Sequence, residues 1–199
     1  MGQRNRAGET FCTLFYPGRL RLPRFARRAL LGAVFLGSGI AHAQFSGPAC
    51  TQFLQAQDAK AIAACKTQVD QAESAPATER MPRIVAYDEY GIALLAIAHQ
   101  PKQALDALNR EVAMLPASTV KPDSLQWAAA FWHRATAYQQ LKQWDQAAGD
   151  LKTAEDTLTR AIAATGDAVR AQHFTQLRQQ IRNQEADVAK HQSRHGTPQ

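Results

Sequence analysis

Residues 131–159 read FWHRATAYQQLKQWDQAAGDLKTAEDTLT. Around residues 141–143 the stretch divides into two segments, and in each of them small or apolar residues recur every three or four positions, a spacing typical of amphipathic helices. The second segment carries a seam of small and large residues at intervals of four, three and four: Ala147, Leu151, Ala154 and Leu158. Such a seam favours close approach of two helices, so we expect a helical hairpin here.

An internal period extends this hairpin toward the N-terminus. A small residue followed four positions later by an apolar one recurs every 43 residues, at Ala61 and Cys65, at Ala104 and Leu108, and at Ala147 and Leu151. Self-similarity at a fixed interval is the signature of a repeat architecture. The sequence therefore predicts three copies of one helical unit, of which the first is degraded.

Apolar spacing and helix breakers place seven helices and no strand after the N-terminal region. Residues 44–199 contain 32 Ala and 20 Gln, a composition that favours helices over strands. The predicted helices lie near 48–56, 58–73, 83–99, 101–115, 124–141, 144–165 and 168–192. Asp123 or Ser124 is expected to cap the fifth helix and Asp167 the seventh. We expect an all-α domain at 44–192 and a disordered tail at 193–199.

The unit at 131–159 resembles a tetratricopeptide repeat (TPR). That family combines small and aromatic residues in its first helix with an aromatic residue and a small–large–small series in its second. The matching residues here are Ala135, Tyr138, Trp144, Ala147, Leu151 and Ala154. Lys142 stands where the family has a glycine between the helices, and Thr159 where it has a closing proline. The resemblance implies stacked helical hairpins, an α-solenoid, which a long C-terminal helix would close.

The earlier units match less well. Leu95, Ala104, Leu108 and Pro116 fit the pattern in the second unit, but Gly91 falls one residue early for the small position. In the first unit only Ala61 and Cys65 fit. The period also exceeds the family's usual length of about 34 residues, which implies longer linkers between the hairpins. A helical-hairpin relative outside the family stays an alternative.

The resemblance implies a concave groove that binds a protein or peptide partner. In the family's register the groove residues on the fifth helix are Trp132, His133, Thr136, Gln139 and Gln140, and those on the third helix are Glu89 and Tyr90, with an uncertainty of one residue. Whether Trp132 belongs to the groove or to the core stays open. The cationic positions with which some TPR proteins hold a C-terminal carboxylate are absent.

The first 43 residues have the pattern of a secretory signal peptide. A cluster of arginines precedes an apolar run of about twelve residues, and Ala41-His42-Ala43 follows, so we expect cleavage between Ala43 and Gln44. The run is too short for a stable membrane anchor. Residues 1–43 carry seven Arg and one acidic residue, whereas the rest of the chain is neutral. A neutral mature chain gives no support to nucleic-acid binding, and the expected location is the periplasm.

Two cysteines remain after this cleavage, Cys50 and Cys65. The turn between the first two helices lies about midway between them, so an antiparallel hairpin would place them side by side. An oxidising compartment favours their pairing, and we expect a disulfide across the first hairpin. Buried free thiols are the alternative.

Catalytic motifs and metal-binding patterns are absent from the sequence, and no cofactor is expected. His191 and His195 could share a helix face, but they lie at the C-terminal end with no third ligand nearby. Asp88 and Glu89 are adjacent, so on a helix they diverge. We therefore expect an interaction scaffold rather than an enzyme. The alternative is a small-ligand-binding or enzymatic helical domain with an unrecognised site.

The seventh helix admits two interpretations. One face of this helix carries apolar residues at intervals of three or four, and Gln184 interrupts the series. The apolar residues are Phe174, Leu177, Ile181 and Val188. They favour a capping helix that covers the last hairpin. The alternative is a coiled-coil seam for a homodimer, although it is shorter than the three or four heptads such a seam needs.

Overall fold

The computed structural model describes residues 48–195 and is helical, with no strand within that range. Its helices are α1 (Pro48–Ala56), α2 (Lys60–Ser74), α3 (Arg80–Ala96), α4 (Pro101–Met114), α5 (Leu125–Gln140), α6 (Trp144–Ala164) and α7 (Ala168–His195). A short 3-10 helix, Leu115–Ala117, follows α4. The all-α class predicted from the sequence is confirmed. None of the helices between residues 48 and 195 is long and apolar enough to cross a membrane.

Local signals explain where several helices begin. Pro101 occupies the first turn of α4, where its missing N–H loses no helical hydrogen bond. At α5 the Ser124 hydroxyl accepts a hydrogen bond from the Trp127 backbone N–H at 3.2 Å, so Ser124 is the cap rather than Asp123. At α7 an Asp167 carboxylate oxygen accepts from the backbone N–H of Val169 at 2.9 Å. Both caps lie where the sequence places them.

Each of the turns α1–α2, α3–α4 and α5–α6 contains a residue in the left-handed region, namely Gln57, His99 and Lys142, with φ of 54°, 53° and 60°. At Lys142 the backbone N–H groups of residues 142 and 143 donate to Gln139 and Tyr138, both at 2.9 Å, which is a Schellman motif. Lys142 therefore takes the left-handed conformation that glycine adopts most readily. The three residues are about 43 apart, in step with the sequence period.

Consecutive helices pack against one another along the chain. The predicted seam of α6 is buried at all four positions, and so are four residues of the apolar stripe of α7: Phe174, Leu177, Ile181 and Val188. Val169, in the first turn of α7, is exposed. Because α7 packs along α6, its apolar stripe is covered within the chain. This burial favours the capping interpretation of α7 over a dimerisation seam.

The predicted disulfide is present between α1 and α2. The Cys50 and Cys65 sulfur atoms are 2.04 Å apart and the two Cα atoms 4.7 Å apart. Both side chains are fully buried. The bond therefore anchors the short helix α1, which has few other buried residues, to α2.

Gly91 allows α3 and α4 to approach closely. A Cβ atom built on it would lie 2.7 Å from Cγ and Cδ2 of Leu108, whereas one built on Gly149 in α6 would meet nothing within 4 Å. We expect Gly91→Ala to lower the free energy of unfolding by about 1–3 kcal/mol through overpacking. Gly149→Ala should raise it by about 0.5–1 kcal/mol through helix propensity alone. Urea denaturation of both variants checks this, and equal effects would contradict the close contact at Gly91.

Two sequence predictions concern residues beyond the described range. The signal peptide at 1–43 and its cleavage between Ala43 and Gln44 lie outside it, as do residues 196–199 of the tail. Within the range, α7 continues to His195, three residues past its predicted end. The first part of the predicted disordered tail is thus helical.

Candidate binding face on the odd-numbered helices

Helices α1, α3, α5 and α7 form a contiguous series. Within it α1 contacts α3, α3 contacts α5, and α5 contacts α7. We call the surface that they share the odd-helix face. The seven groove residues predicted from the sequence lie on α3 and α5 and therefore belong to this series.

Glu89 ties α3 to the first hairpin. Its Oε1 accepts a hydrogen bond from the Thr51 hydroxyl on α1 at 2.6 Å, and its Oε2 accepts from Gln68 Nε2 on α2 at 2.8 Å. Burial raises the pKa of the Glu89 carboxyl, while the two hydrogen bonds act in the opposite direction. Both of its oxygens are thus engaged within the chain, which makes Glu89 a positioning residue between α1, α2 and α3.

Asp88 and His133 tie α3 to α5. The Asp88 Oδ1 and His133 Nδ1 atoms are 2.6 Å apart, and the two side chains are only 14% and 18% exposed. The indole ring of Trp132 lies beside the His133 ring, with centroids 6.1 Å apart and planes 20° apart. The bond to Asp88 fixes the imidazole orientation and leaves Nε2 as the ring nitrogen on the side away from the carboxylate.

Gln184 ties α5 to α7. Its Oε1 accepts a hydrogen bond from Trp132 Nε1 at 2.5 Å, and its Nε2 donates to the Thr136 hydroxyl at 3.2 Å and also to Gln139 Oε1. This residue is the polar interruption in the apolar phase of α7. Three of the predicted groove residues therefore meet α7. Trp132 is half-buried at this helix contact, so it is neither an open groove residue nor fully core.

The remaining two predicted groove residues differ in exposure. Tyr90 is half-buried and packs against two core clusters, one of them around Val69 and Tyr87 and the other around Leu94 and Leu108. Gln140 is exposed near the C-terminal end of α5. Gln140 is therefore fully accessible to a partner on this face, whereas Tyr90, Trp132 and His133 are partly accessible.

A buried polar layer lies behind this face, and sequence reasoning missed it. Glu111 on α4 is fully buried, and its Oε1 accepts from Gln126 Nε2 on α5 at 3.0 Å. Arg134 on α5 makes a two-bond pair with Asp150 on α6, with both N···O distances at 2.7 Å. One signal was available: Glu111 lies one period before Ala154, at a position where the repeat calls for a small residue.

Between residues 48 and 195 no group of three or more His, Cys, Asp or Glu side chains is placed to hold a metal ion. His191 stacks on Trp144, with ring centroids 4.2 Å apart and planes 4° apart. The His191 ring therefore packs the C-terminal end of α7 against the start of α6.

No protein-family model matches the chain, and no curated protein or solved structure is similar to it.

Proposed function

We propose that the mature chain is a periplasmic interaction scaffold, a TPR-like stack of helical hairpins that binds a protein or peptide on the odd-helix face. The observation that carries this proposal is the contiguous series of odd-numbered helices, whose surface presents half-exposed aromatic and amide side chains. A stack of hairpins makes an extended surface of this kind, which suits a helical or extended segment of a partner.

The TPR-like arrangement draws support from three features. The helices follow the hairpin order α1–α2, α3–α4, α5–α6, the left-handed turn residues keep the 43-residue period, and α7 covers the last hairpin. The small and large family positions of the third unit, Ala135, Ala147, Leu151 and Ala154, are all fully buried.

The side-chain ties support a rigid binding surface. Thr51–Glu89, Asp88–His133 and Trp132–Gln184 each join one odd-numbered helix to the next. A surface that is ordered before it binds loses less conformational entropy on association. Aromatic residues such as Tyr90 and Trp132 are common anchors in interfaces.

Two features support the periplasmic location. The arginine-rich segment at 1–43 has the signal-peptide pattern. A buried disulfide between Cys50 and Cys65 is typical of an oxidising compartment.

Small-ligand binding or catalysis is the second candidate function, and the Asp88–His133 pair is the observation that favours it. An acid that orients an imidazole is a common part of general-base sites. Within residues 48–195, however, the hydrogen bonds of His133 include none to a hydroxyl or thiol nucleophile. The scaffold therefore remains the better-supported function.

Site-specific photo-crosslinking tests the scaffold proposal. A photoreactive amino acid replaces Gln140, which is exposed on α5, and in a control it replaces Gln103, which is exposed on α4. We expect irradiation of the exporting cells to give a discrete protein adduct from position 140 and none from position 103. Adducts of equal yield at both positions, or none at position 140, would refute the odd-helix face as the binding surface.

A further inference from the structure

Glu111 has an unusual place in the packing. It lies on α4 at the junction with α5, it is fully buried, and its Oε1 is bonded to Gln126 at 3.0 Å. Among the described residues its Oε2 has no hydrogen-bond partner. A buried carboxylate oxygen without a donor is strongly unfavourable, whereas a neutral carboxyl group carries its own proton on that oxygen.

The charged surroundings of Glu111 come from α3 and α5. Asp88 on α3 contributes a negative charge, and Arg134 on α5 contributes a positive charge. Arg134 is already engaged by both oxygens of Asp150, however, so it offers Glu111 little compensation. The other ionisable side chains of α5 are His133, which is bonded to Asp88, and Tyr138, whose ring lies against the Arg134 guanidinium, while Gln126 is neutral.

The remaining charged groups of α3 have partners elsewhere. Arg80 donates to the Ala117 carbonyl, Arg83 to the Ala75 carbonyl, and Glu89 accepts from Thr51 and Gln68. The 3-10 helix after α4, Leu115–Ala117, carries no charged side chain. The surroundings of Glu111 thus favour its neutral form.

We propose that Glu111 is a proton-operated latch between the second hairpin (α3–α4) and the third (α5–α6). With its proton it lies neutral in the contact between α4 and α5. When it loses the proton, an uncompensated negative charge remains in that contact, beside the Asp88 carboxylate, and the closed arrangement of the two hairpins becomes less populated. This inference is argued from the packing of the helices, and it does not require that a partner binds the odd-helix face.

The direction of the pH dependence follows from the burial of the group. Burial and the Asp88 charge raise the pKa of Glu111 well above its ordinary value of 4.5. Between the unfolded-state pKa and the folded-state pKa, Glu111 therefore keeps its proton in the folded protein, whereas the unfolded chain has released it. Stability is full below the unfolded-state pKa and is lost as the pH rises through the folded-state pKa. In that interval the folding equilibrium constant falls by up to tenfold per pH unit.

Chemical denaturation of the mature protein between pH 4 and 8 tests the latch. We expect the wild type to lose stability as the pH rises, and Glu111→Gln to be more stable than the wild type at pH 8 and to show a flatter profile. Glu89 and Glu185 also have raised pKa values, and each makes the free energy of unfolding fall as the pH rises. The diagnostic quantity is therefore the difference in pH dependence between the wild type and Glu111→Gln.

His133→Gln is the matched control, because it replaces the side chain that is bonded to Asp88 and leaves the Glu111 carboxyl in place. The proposal requires that the fall in the free energy of unfolding with rising pH persists in His133→Gln and becomes smaller in Glu111→Gln. The opposite pattern, or a Glu111→Gln profile parallel to that of the wild type, overturns it.

A measurement on the wild type keeps the test valid if Glu111→Gln does not fold. Carboxyl carbon NMR with assigned resonances should show that the Glu111 carboxyl titrates well above its ordinary range. Amide exchange, corrected for its intrinsic pH dependence, should accelerate on α5 more than on α2 as the pH rises. Exchange that accelerates equally on both helices, or a Glu111 carboxyl that titrates near its ordinary pKa, would overturn the latch.

Discussion

Asp150→Ala is expected to lower the free energy of unfolding by about 3–5 kcal/mol. The Arg134 and Asp150 side chains are only 18% and 10% exposed and are joined by two hydrogen bonds. The guanidinium also lies over the rings of Phe131 and Tyr138, at 5.3 and 5.8 Å from their centroids. Loss of the carboxylate therefore leaves a charge that is held in place without its partner. Urea denaturation at pH 7 measures the effect.

Asp156→Ala is the matched control on the same helix. Asp156 pairs with Lys152 at 3.8 Å, but the two side chains are 52% and 74% exposed. An exposed pair contributes about 0–1 kcal/mol, and both variants change helix propensity equally. Similar losses in the two variants would show that burial of the Arg134 pair does not determine its contribution.

Replacement of both Cys50 and Cys65 by Ala is expected to lower the free energy of unfolding by roughly 3 kcal/mol. The bond closes a loop with a sequence separation of 15 residues, and the loss of that constraint on the unfolded chain sets the magnitude. Thermal or urea denaturation of the oxidised wild type and the double variant measures the difference.

Reduction of the wild type supplies the control for this prediction. With both thiols free, the wild type and the double variant should unfold at nearly the same denaturant concentration. A double variant as stable as the oxidised wild type would mean that α1 holds its place without the bond. We expect instead that protection of the α1 amides is lost first.

Most helix boundaries were predictable because their determinants are local, but α3 begins at Arg80 and ends at Ala96, three residues before each predicted boundary. Ser124, Asp167 and Pro101 act within a turn or two of their own positions, and the breakers between the hairpins do the same. The disulfide was predictable for a related reason, since a turn midway between two cysteines makes them neighbours. The TPR-like stacking remains a prediction.

The polar contacts were not predictable, because they depend on how each helix is rotated against its neighbours. Asp88 meets His133 across 45 residues, and Trp132 meets Gln184 across 52. Helical periodicity says which residues share a face, but it does not say which residue of another helix faces them. The predicted groove set was therefore assembled without α7, whose Gln184 joins three of its members.

The order of packing along the chain has a kinetic consequence. The principal contacts of each helix are with the next helix and the next but one, so loops that must close during folding are short. Proteins dominated by local contacts fold in microseconds to milliseconds, because little chain entropy is lost before contacts form. Disulfide formation takes seconds to hours, so we expect the oxidation of Cys50 and Cys65 to be slower than the packing of the helices.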